Sequence, residues 1–287
     1  MNPKPEIAVI GAGWAGLAAA AYLAPHCRLT LFEAGKVAGG RARGVAHGAF
    51  AELDNGQHLL IGAYRAVFRL LRRVGESPDA LFLREPLHWH LADGFQFRCP
   101  QKLPAPLHLL WAVLRGKNAD WAQKTALLRQ MAALQRWHKR QPPDQSIASW
   151  LDEQQVGEDW RAQFWRPMVL GALNTPLETA SLRVLCHVLA DGVWASRDAG
   201  DFYMAKRNLS DTLAAPVLRY LAQHGAKYRP NCRIAQVQAA SGKVQADGQT
   251  FDAAVFAVAP YHIAPLLPEH LGDAVRQAVQ QLSYHAI

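Results

Sequence analysis

The sequence predicts an α/β fold into which a mixed, largely helical domain is inserted. Residues 1–84 are glycine-rich, with the pattern of strand, helix, strand and glycine loop. Residues 85–205 hold eight of the nine tryptophans and most of the helical patterns bounded by proline. Residues 206–287 return to α/β character. We therefore expect the first and last zones to form one discontinuous domain, with the middle zone inserted in it.

The last zone predicts one helix and three short strands. The helix is expected near residues 211–225, and the strands at 233–237, 243–246 and 253–258. Strands that lie on either side of an insertion are expected to belong to one sheet.

Length and composition predict a folded globular protein. A chain of 287 residues with 50% hydrophobic content can fill a substantial core. The four cysteines form no CxxC pair, which argues against a zinc site or a disulfide framework and fits a reducing cytoplasm. We expect all four to be buried thiols. Three spaced glycines interrupt the apolar run Ile7–Leu23, which a strand and a helix explain better than a signal peptide. No other stretch approaches the eighteen or more uninterrupted apolar residues that a transmembrane helix requires.

A strand, a glycine turn and a helix are predicted at the start of the chain. The apolar run Ile7–Ile10 is followed by the pattern GxGxxG at Gly11–Gly16 and by helix-forming residues. Gly11 permits a tight turn, Gly13 leaves room for a pyrophosphate, and Gly16 lets helix and strand approach closely. The phosphates would meet the free N–H groups and the positive end of the helix dipole. Since glycine turns also occur for structural reasons, this pattern alone leaves dinucleotide binding an even choice.

The end of the second predicted strand favours nucleotide binding. Arg28–Phe32 leads into Glu33, twenty residues after Gly13. An acid at this spacing can accept hydrogen bonds from the ribose hydroxyls of an adenosine, and it disfavours a 2′-phosphate. A solvated turn glutamate is the weaker interpretation.

A second glycine turn carries an arginine. In Gly39-Gly40-Arg41 the guanidinium can bind pyrophosphate oxygens as a fork of donors, and the glycines let the main chain approach. The order GxGxxGL, a Glu ending the second strand, then GGR resembles the FAD-dependent amine oxidases and phytoene-type desaturases. The resemblance implies FAD as the cofactor and a Rossmann-like, GR2-type FAD-binding domain with an inserted substrate domain.

Further motifs resemble the squalene-associated branch, the hydroxysqualene dehydroxylases of hopanoid-producing bacteria. Leu53–His58 matches the place where the family's D-x-G segment passes the flavin, and Gly56 would allow main chain against the isoalloxazine ring. Leu59–Arg65, Trp165–Pro167 and Leu173–Pro176 are similar to the same branch. The resemblance therefore runs through most of the chain.

Two late segments resemble the family as well. Asn231–Ile234 is similar to the strand whose main chain meets the adenine, which implies that contact for Ile234. Asp252–Pro260 is similar to the returning strand and its small-residue turn. The family also has a C-terminal glycine-containing segment with an acid that closes over the flavin, and we find none before Ile287. We therefore expect a truncated, split or fragmentary molecule with weakened FAD retention, and residues 281–287 predict the start of another strand.

The resemblance implies an enzyme of isoprenoid lipid metabolism. The implied reaction replaces the allylic hydroxyl of hydroxysqualene, a C30 lipid, by hydrogen to give squalene. The alternatives are a carotenoid desaturase or a flavin amine oxidase, and, in another class, a non-catalytic fragment or interaction protein. The sequence identifies no catalytic acid, electron donor or oligomeric state. The predicted cofactor-binding residues are Gly11, Ala12, Gly13, Gly16, Glu33, Gly39, Gly40, Arg41, Gly56 and Ile234.

Three histidines invite a chemical role that the sequence supports weakly. His58 is a candidate acid or base because imidazole titrates near neutrality, but it lacks a visible partner and is better interpreted as a hydrogen-bonded neighbour of the flavin. His88 and His90 would share one face of a strand. Without a third ligand they predict a surface pair and no metal site.

Most of the net charge of +8 comes from residues 100–140, where eight basic residues stand against one acidic residue. Nucleic acid, an anionic membrane and a solvated helix face are all compatible with such a stretch. The tryptophans of the middle zone can fill a core, anchor at a membrane interface or stack on nucleic acid. No nucleic-acid motif accompanies them, so we expect no nucleic-acid partner.

A helical apolar stripe lies inside the basic stretch. Its members are Leu107, Leu110, Trp111 and Leu114, followed by Arg115 and Lys117. The stripe can pack on a core, or lie in a membrane surface with its basic neighbours at anionic headgroups. A lipid substrate favours the second role, which predicts a cytoplasmic protein that is peripheral on the inner face of the cell membrane.

Overall fold

In a computed structural model, the chain folds into two compact units. The structure describes residues 3–56, 58–92 and 94–283. The first unit contains the described residues up to Leu59, Ala66–Leu83, and the described residues from Met204 onward. The second unit contains Leu60–Arg65 and Arg84–Tyr203.

Fourteen strands and twelve α-helices are found in the described residues. The strands are β1 (Glu6–Ile10), β2 (Arg28–Phe32), β3 (Gly44–His47), β4 (Phe50–Asp54), β5 (Leu60–Ile61), β6 (Phe82–Glu85), β7 (His88–His90), β8 (Gln96–Arg98), β9 (Phe202–Ala205), β10 (Lys227–Arg229), β11 (Gln238–Ala240), β12 (Lys243–Ala246), β13 (Gln249–Phe251) and β14 (Ala253–Phe256). The α-helices are α1 (Trp14–Leu23), α2 (Arg65–Arg73), α3 (Pro78–Leu81), α4 (Leu107–Arg115), α5 (Trp121–Arg140), α6 (Ile147–Glu153), α7 (Glu158–Trp160), α8 (Arg166–Leu173), α9 (Leu182–Gly192), α10 (Ala215–Gln223), α11 (Pro260–Ile263) and α12 (Glu269–Gln280). Two π-helical turns, Arg161–Trp165 and Ser210–Ala214, lead into α8 and α10.

A four-stranded parallel sheet forms the centre of the first unit, in the order β10, β2, β1, β14. β1 aligns Ile7 with Leu29 of β2 and with Ala253 of β14. β10 pairs with the other edge of β2, where Lys227 is opposite Thr30. Two of these strands precede the second unit in sequence and two follow it. The prediction that strands on both sides of the insertion share one sheet is therefore confirmed.

Alternate residues of β1 and β2 pack into two separate cores. Val9 and Leu31 join a cluster with Leu17 of α1. Ile10 and Phe32 belong to a second cluster on the other face. Burial on both faces explains why these strands are runs of apolar residues, since a parallel sheet has little access to water.

The predicted strand at 233–237 is wrong, because these residues belong to no strand. Its buried residues Ile234 and Val237 are three positions apart, whereas side chains on one face of a strand recur every two. The neighbouring strands are β10 and β11 instead. The strand predicted at 243–246 is present as β12, but it pairs with β11 and β13 in a separate antiparallel sheet.

The second unit packs helices α4 to α9 around an aromatic core. The longest helix, α5, begins at a capping box. The Asp120 carboxylate accepts a hydrogen bond from the N–H of Gln123, whose side chain accepts one from the N–H of Asp120. Six of the eight tryptophans of this unit lie in or against the core, and two are exposed. The six are Trp89, Trp137, Trp150, Trp160, Trp165 and Trp194, and the two are Trp111 and Trp121.

One segment lies outside the domain division predicted at residues 84 and 205. Leu60–Arg65 belongs to the second unit, because β5 pairs with β9 and the N–H of Gly62 donates to the carbonyl of Asp201. A Cβ on Gly62 would overlap the carbonyl of Asp198, so only glycine fits here. β9 also pairs with β6 to complete a three-stranded sheet.

No helix in the described part of the chain is long and apolar enough to cross a bilayer. Among the described residues no group of three His, Cys, Asp or Glu is arranged to hold a metal ion. The Nδ1 of His88 lies 3.0 Å from the carbonyl oxygen of Pro86. Residues 281–283 form no strand, and 284–287 lie outside the described residues.

Candidate cofactor site

The first glycine turn joins β1 to α1 in a conformation that only glycine adopts easily. Gly11 has φ of 102°, and its N–H donates to the carbonyl of Phe32 at 2.9 Å. A Cβ on Gly11 would lie 2.5 Å from the carbonyl oxygen of Ala257. A Cβ on Gly16 would overlap the carbonyl of Gly11 and lie 3.1 Å from the Cβ of Ala257. These two glycines therefore allow α1 to approach the strand ends.

Gly13 requires a different explanation. Its φ of −70° and ψ of 177° suit any residue, and a Cβ there would meet only the Cα of Gly40, at 3.9 Å. Neither the backbone nor the packing of the chain therefore needs glycine at this position. Gly13 keeps open a space at the N-terminus of α1 that a side chain would fill.

The second glycine turn lies directly against the first. Gly39 donates its N–H to the carbonyl of Ala12 at 2.8 Å, and a Cβ on Gly40 would be 3.1 Å from the Cα of Gly13. The indole of Trp14 donates to the carbonyl of Ala42 at 3.1 Å. The main chains of both turns are thus held together at the start of α1.

The joined turns form a cradle for an anion. Gly13 precedes helix α1 and provides no side-chain cap, and the first turn of the helix has no acidic residue. The N–H groups and the positive dipole end of α1 are therefore directed at the cradle. Arg41 is exposed, and it has no carboxylate partner among residues 3–56, 58–92 and 94–283. A pyrophosphate fits this charge and these donors.

Glu33 is held beside the cradle by main-chain donors. Its Oε2 accepts from the N–H of Ala12 at 2.9 Å, and its Oε1 accepts from the N–H of Gly35 at 2.7 Å. Each carboxylate oxygen can accept a further hydrogen bond. The carboxylate therefore has a fixed orientation and free capacity for the hydroxyls of a ribose.

The segment around Ile234 reaches the site through its main chain. The N–H of Asn231 donates to Gly35, and that of Cys232 donates to Glu33, both at 2.9 Å. The side chain of Ile234 is buried with Ile10 in the core below. The predicted adenine contact of Ile234 stays a prediction, although the segment lies beside the acid that would bind the ribose.

The DNG turn is tied to the second glycine turn. The side chain of Asn55 donates to the carbonyl of Arg41 at 3.2 Å, and its N–H donates to Arg43 at 2.8 Å. Gly56 has φ of 103°, and its carbonyl lies 2.8 Å from Nδ1 of His58. The interpretation of His58 as a hydrogen-bonded histidine agrees with this contact. Gln57, part of the same predicted motif, lies outside the described residues.

The side chains that position these turns were not predicted from the sequence. Asp54 accepts from the N–H of Leu209 at 2.7 Å, and Ser210 accepts from the N–H of Gly44 at 2.9 Å. Trp14 and Asn55 connect segments 28 and 14 residues apart. Contacts between residues that are distant in sequence leave no periodic pattern. The one available signal for them was Trp14, a tryptophan inside the glycine pattern.

The sequence of the chain matches that of a known protein family. A sequence model of the flavin containing amine oxidoreductases matches residues 14–287. The chain belongs to this family. Membership identifies the cofactor as FAD, in agreement with the cradle and the fixed acid.

Curated relatives of this family member include plant carotenoid desaturases. The chain is 28% identical to the 15-cis-phytoene desaturase of Arabidopsis thaliana in an alignment of 288 positions, which covers 92% of this chain and 50% of that protein. It is 25% identical to the zeta-carotene desaturase of Zea mays in an alignment of 254 positions, which covers 81% of this chain and 43% of that protein. The chain thus spans about half the length of the curated relatives it matches.

Solved structures show the same fold at low identity. An oxidoreductase from Methanosarcina mazei has a TM-score of 0.69 at 17% identity, over 96% of this chain and 65% of that chain. Cyclohexylamine oxidase from Brevibacterium oxydans has a TM-score of 0.64 at 17% identity, over 96% of this chain and 63% of that chain. The FAD-binding fold predicted from the sequence is therefore confirmed.

Proposed function

We propose that the chain is part of an FAD-dependent oxidoreductase that acts on a polyisoprenoid lipid, by reductive dehydroxylation of hydroxysqualene to squalene. The observation that carries this proposal is a sequence similarity to the hydroxysqualene dehydroxylases. The similar segments are 53–65, Trp165–Pro167 and Leu173–Pro176. The curated relatives support the lipid class, since phytoene and carotenes are polyisoprenoids. They do not distinguish hydroxysqualene from a carotenoid.

The residues of the first unit would bind and orient the cofactor. Gly13 and Gly40 let main chain approach the pyrophosphate, Arg41 and the N-terminus of α1 neutralise its charge, and Glu33 accepts from the ribose. FAD, when bound, supplies two-electron redox chemistry that no side chain provides.

The proposed reaction is a two-electron reduction of the substrate. The allylic C–O bond breaks, a C–H bond forms at the same carbon, and water leaves. Two electrons and two protons are consumed, so the reaction requires an external reductant. We assign no catalytic acid to the departing hydroxyl.

A carotenoid desaturase is the second candidate, favoured by the names of the curated relatives. Desaturation runs in the opposite redox direction, because two hydrogens leave the substrate and an electron acceptor is reduced. The same cofactor residues serve both reactions. A non-catalytic interaction protein is the candidate of another class.

Product analysis tests these candidates with the same protein sample. The chain is incubated with FAD and, in separate arms, with hydroxysqualene plus dithionite, phytoene plus a quinone, and a set of primary amines. We expect squalene in the first arm. A desaturated product in the second arm alone, or an aldehyde in the third alone, would replace the proposed reaction. Absence of any product despite bound FAD would favour the non-catalytic candidate.

A further inference from the structure

Helix α4 directs its apolar stripe outward. Leu107 is 50%, Leu110 41% and Trp111 51% exposed, and Leu114 is half-buried. The opposite side of the helix packs inward. It is formed by His108, Ala112 and Val113. The stripe therefore leaves apolar surface of three neighbouring side chains in water.

Both exposed tryptophans have a cation over the ring. The guanidinium carbon of Arg115 lies 5.6 Å from the ring centroid of Trp111. The ammonium of Lys124 lies 5.4 Å from that of Trp121, which is 67% exposed at the start of α5. An indole with a neighbouring cation suits the headgroup level of a bilayer, where the ring enters the apolar boundary and the charge stays at the phosphates.

The outer face of α5 adds a basic row beside α4, which it contacts. Arg129, Arg136 and Arg140 are exposed and spaced by seven and four residues, so they share one side of the helix. None of the three has a carboxylate partner in the part of the chain that the structure describes. Their charge is available to an external anion.

The charge of the second unit is strongly uneven. Residues 100–140 carry eight basic residues and one acidic residue, whereas 141–203 carry four basic and nine acidic residues. The single acid of the basic part, Asp120, caps α5. The uneven charge favours one orientation of the unit at a negatively charged surface.

We propose that the exposed stripe of α4, Trp121 and the basic row of α5 form a docking surface for an anionic lipid bilayer. The stripe and the indoles enter the interface, and the arginines bind phosphate headgroups. A nucleic acid would leave the stripe in water, and a second copy would bring two basic faces together. The inference deepens the proposed function, since a C30 lipid must be collected from a bilayer, but binding to vesicles needs neither FAD nor turnover.

Vesicle flotation of the intact 287-residue chain tests the proposal. One set of vesicles contains phosphatidylcholine alone, and the other contains equal parts of phosphatidylcholine and phosphatidylglycerol. We expect the chain to float with the anionic set and to be partly released by high salt. Arg129→Gln with Arg136→Gln should weaken binding by about fivefold per charge removed. Leu110→Ala with Trp111→Ala should abolish the binding that persists in high salt.

Leu170→Ala is the matched control, because Leu170 is also 41% exposed but lies in the acidic part of the unit. It should float like the parent, and circular dichroism should show every variant folded. A parent that stays soluble with both vesicle sets, or arginine variants that float like the parent, would overturn the proposal, as would a dimer that the leucine and tryptophan variants dissociate. A chain that converts the isoprenoid substrate in detergent but does not bind vesicles would reject the docking surface alone. Vesicle binding without any isoprenoid product rejects the proposed function alone.

Discussion

The side chain of Glu33 lies in the candidate cofactor site and also holds two main-chain segments together. Its carboxylate ties the N–H of Ala12, in the first glycine turn, to the N–H of Gly35, beyond β2. A glutamine keeps one acceptor oxygen, but its amide nitrogen would face the other N–H group. The fold therefore uses this carboxylate, in addition to its predicted role in binding the ribose.

We predict that Glu33→Gln lowers the free energy of unfolding by roughly 1 to 3 kcal/mol, because one main-chain donor loses its acceptor. Chemical denaturation measures this loss. Glu6→Gln is the control, since Glu6 forms an exposed ion pair with Arg28 and its replacement should change stability by less than about 1 kcal/mol. Equal effects of both changes would show that Glu33 is an ordinary surface acid.

The cysteines define a second prediction at this scale. Burial raises the pKa of Cys99 to about 12 and that of Cys186 to about 11. Cys27 is buried too, whereas Cys232 is only half-buried, so the expectation of four buried thiols is wrong at that residue. Since the thiolate is the reactive form, a thiol reagent at about pH 8 should modify Cys232 alone in the native chain and all four thiols after denaturation.

The same pKa shifts predict a loss of stability at high pH. An unfolded thiol ionises near its ordinary pKa of 9.0, whereas folded Cys99 keeps its proton to about 12. The unfolded state therefore binds fewer protons above pH 9.0, and the stability that depends on this group decreases as pH rises. Rapid labelling of native Cys99 at about pH 8 would contradict both statements.

Elements differ in how far sequence predicts them. The first strand and helix and β14 were predictable, because apolar runs next to glycine signals are local. Residues 233–237 were predicted to form a strand because of their apolar content. The spacing of three between the buried residues Ile234 and Val237, which does not fit a strand, was given too little weight. For α4, periodicity defined an apolar face, but whether the rest of the chain covers that face depends on tertiary contacts.

At the scale of elements, the close packing of α1 on β1 leads to a prediction about the free energy of unfolding. Gly16→Ala should lower the free energy of unfolding by about 3 kcal/mol or more, because the new Cβ overlaps the carbonyl of Gly11 and forces α1 away from β1. Gly171→Ala is the matched control within α8, where a Cβ meets nothing within 4 Å. It should raise stability by up to about 1 kcal/mol. Thermal denaturation of the two variants compares them, and a Gly16→Ala protein as stable as the parent would contradict the close packing.

At the scale of the whole molecule, the sequence indicates the residues of the candidate cofactor site but not the contacts that hold them in place. The glycines, Glu33 and Arg41 lie within about thirty residues of one another, in a pattern that a known family repeats. The contacts of Asp54 with Leu209 and of Gly44 with Ser210 link segments on opposite sides of the insertion in sequence. No local pattern records such pairs, so only the folded chain shows how the site is held.

The central claim, that the two joined glycine turns bind FAD, is tested most directly by titrating FAD against the parent and Gly13→Ala. The backbone of Gly13 suits alanine and its Cβ has room, so the variant should be as stable as the parent or more stable by up to about 1 kcal/mol. The same Cβ occupies the space for the pyrophosphate. Loss of one charge-assisted hydrogen bond, worth about 1.5 to 3 kcal/mol, should weaken FAD binding by roughly ten- to a hundredfold. A parent that binds no FAD, or a folded Gly13→Ala protein that binds it with unchanged affinity, would contradict the account.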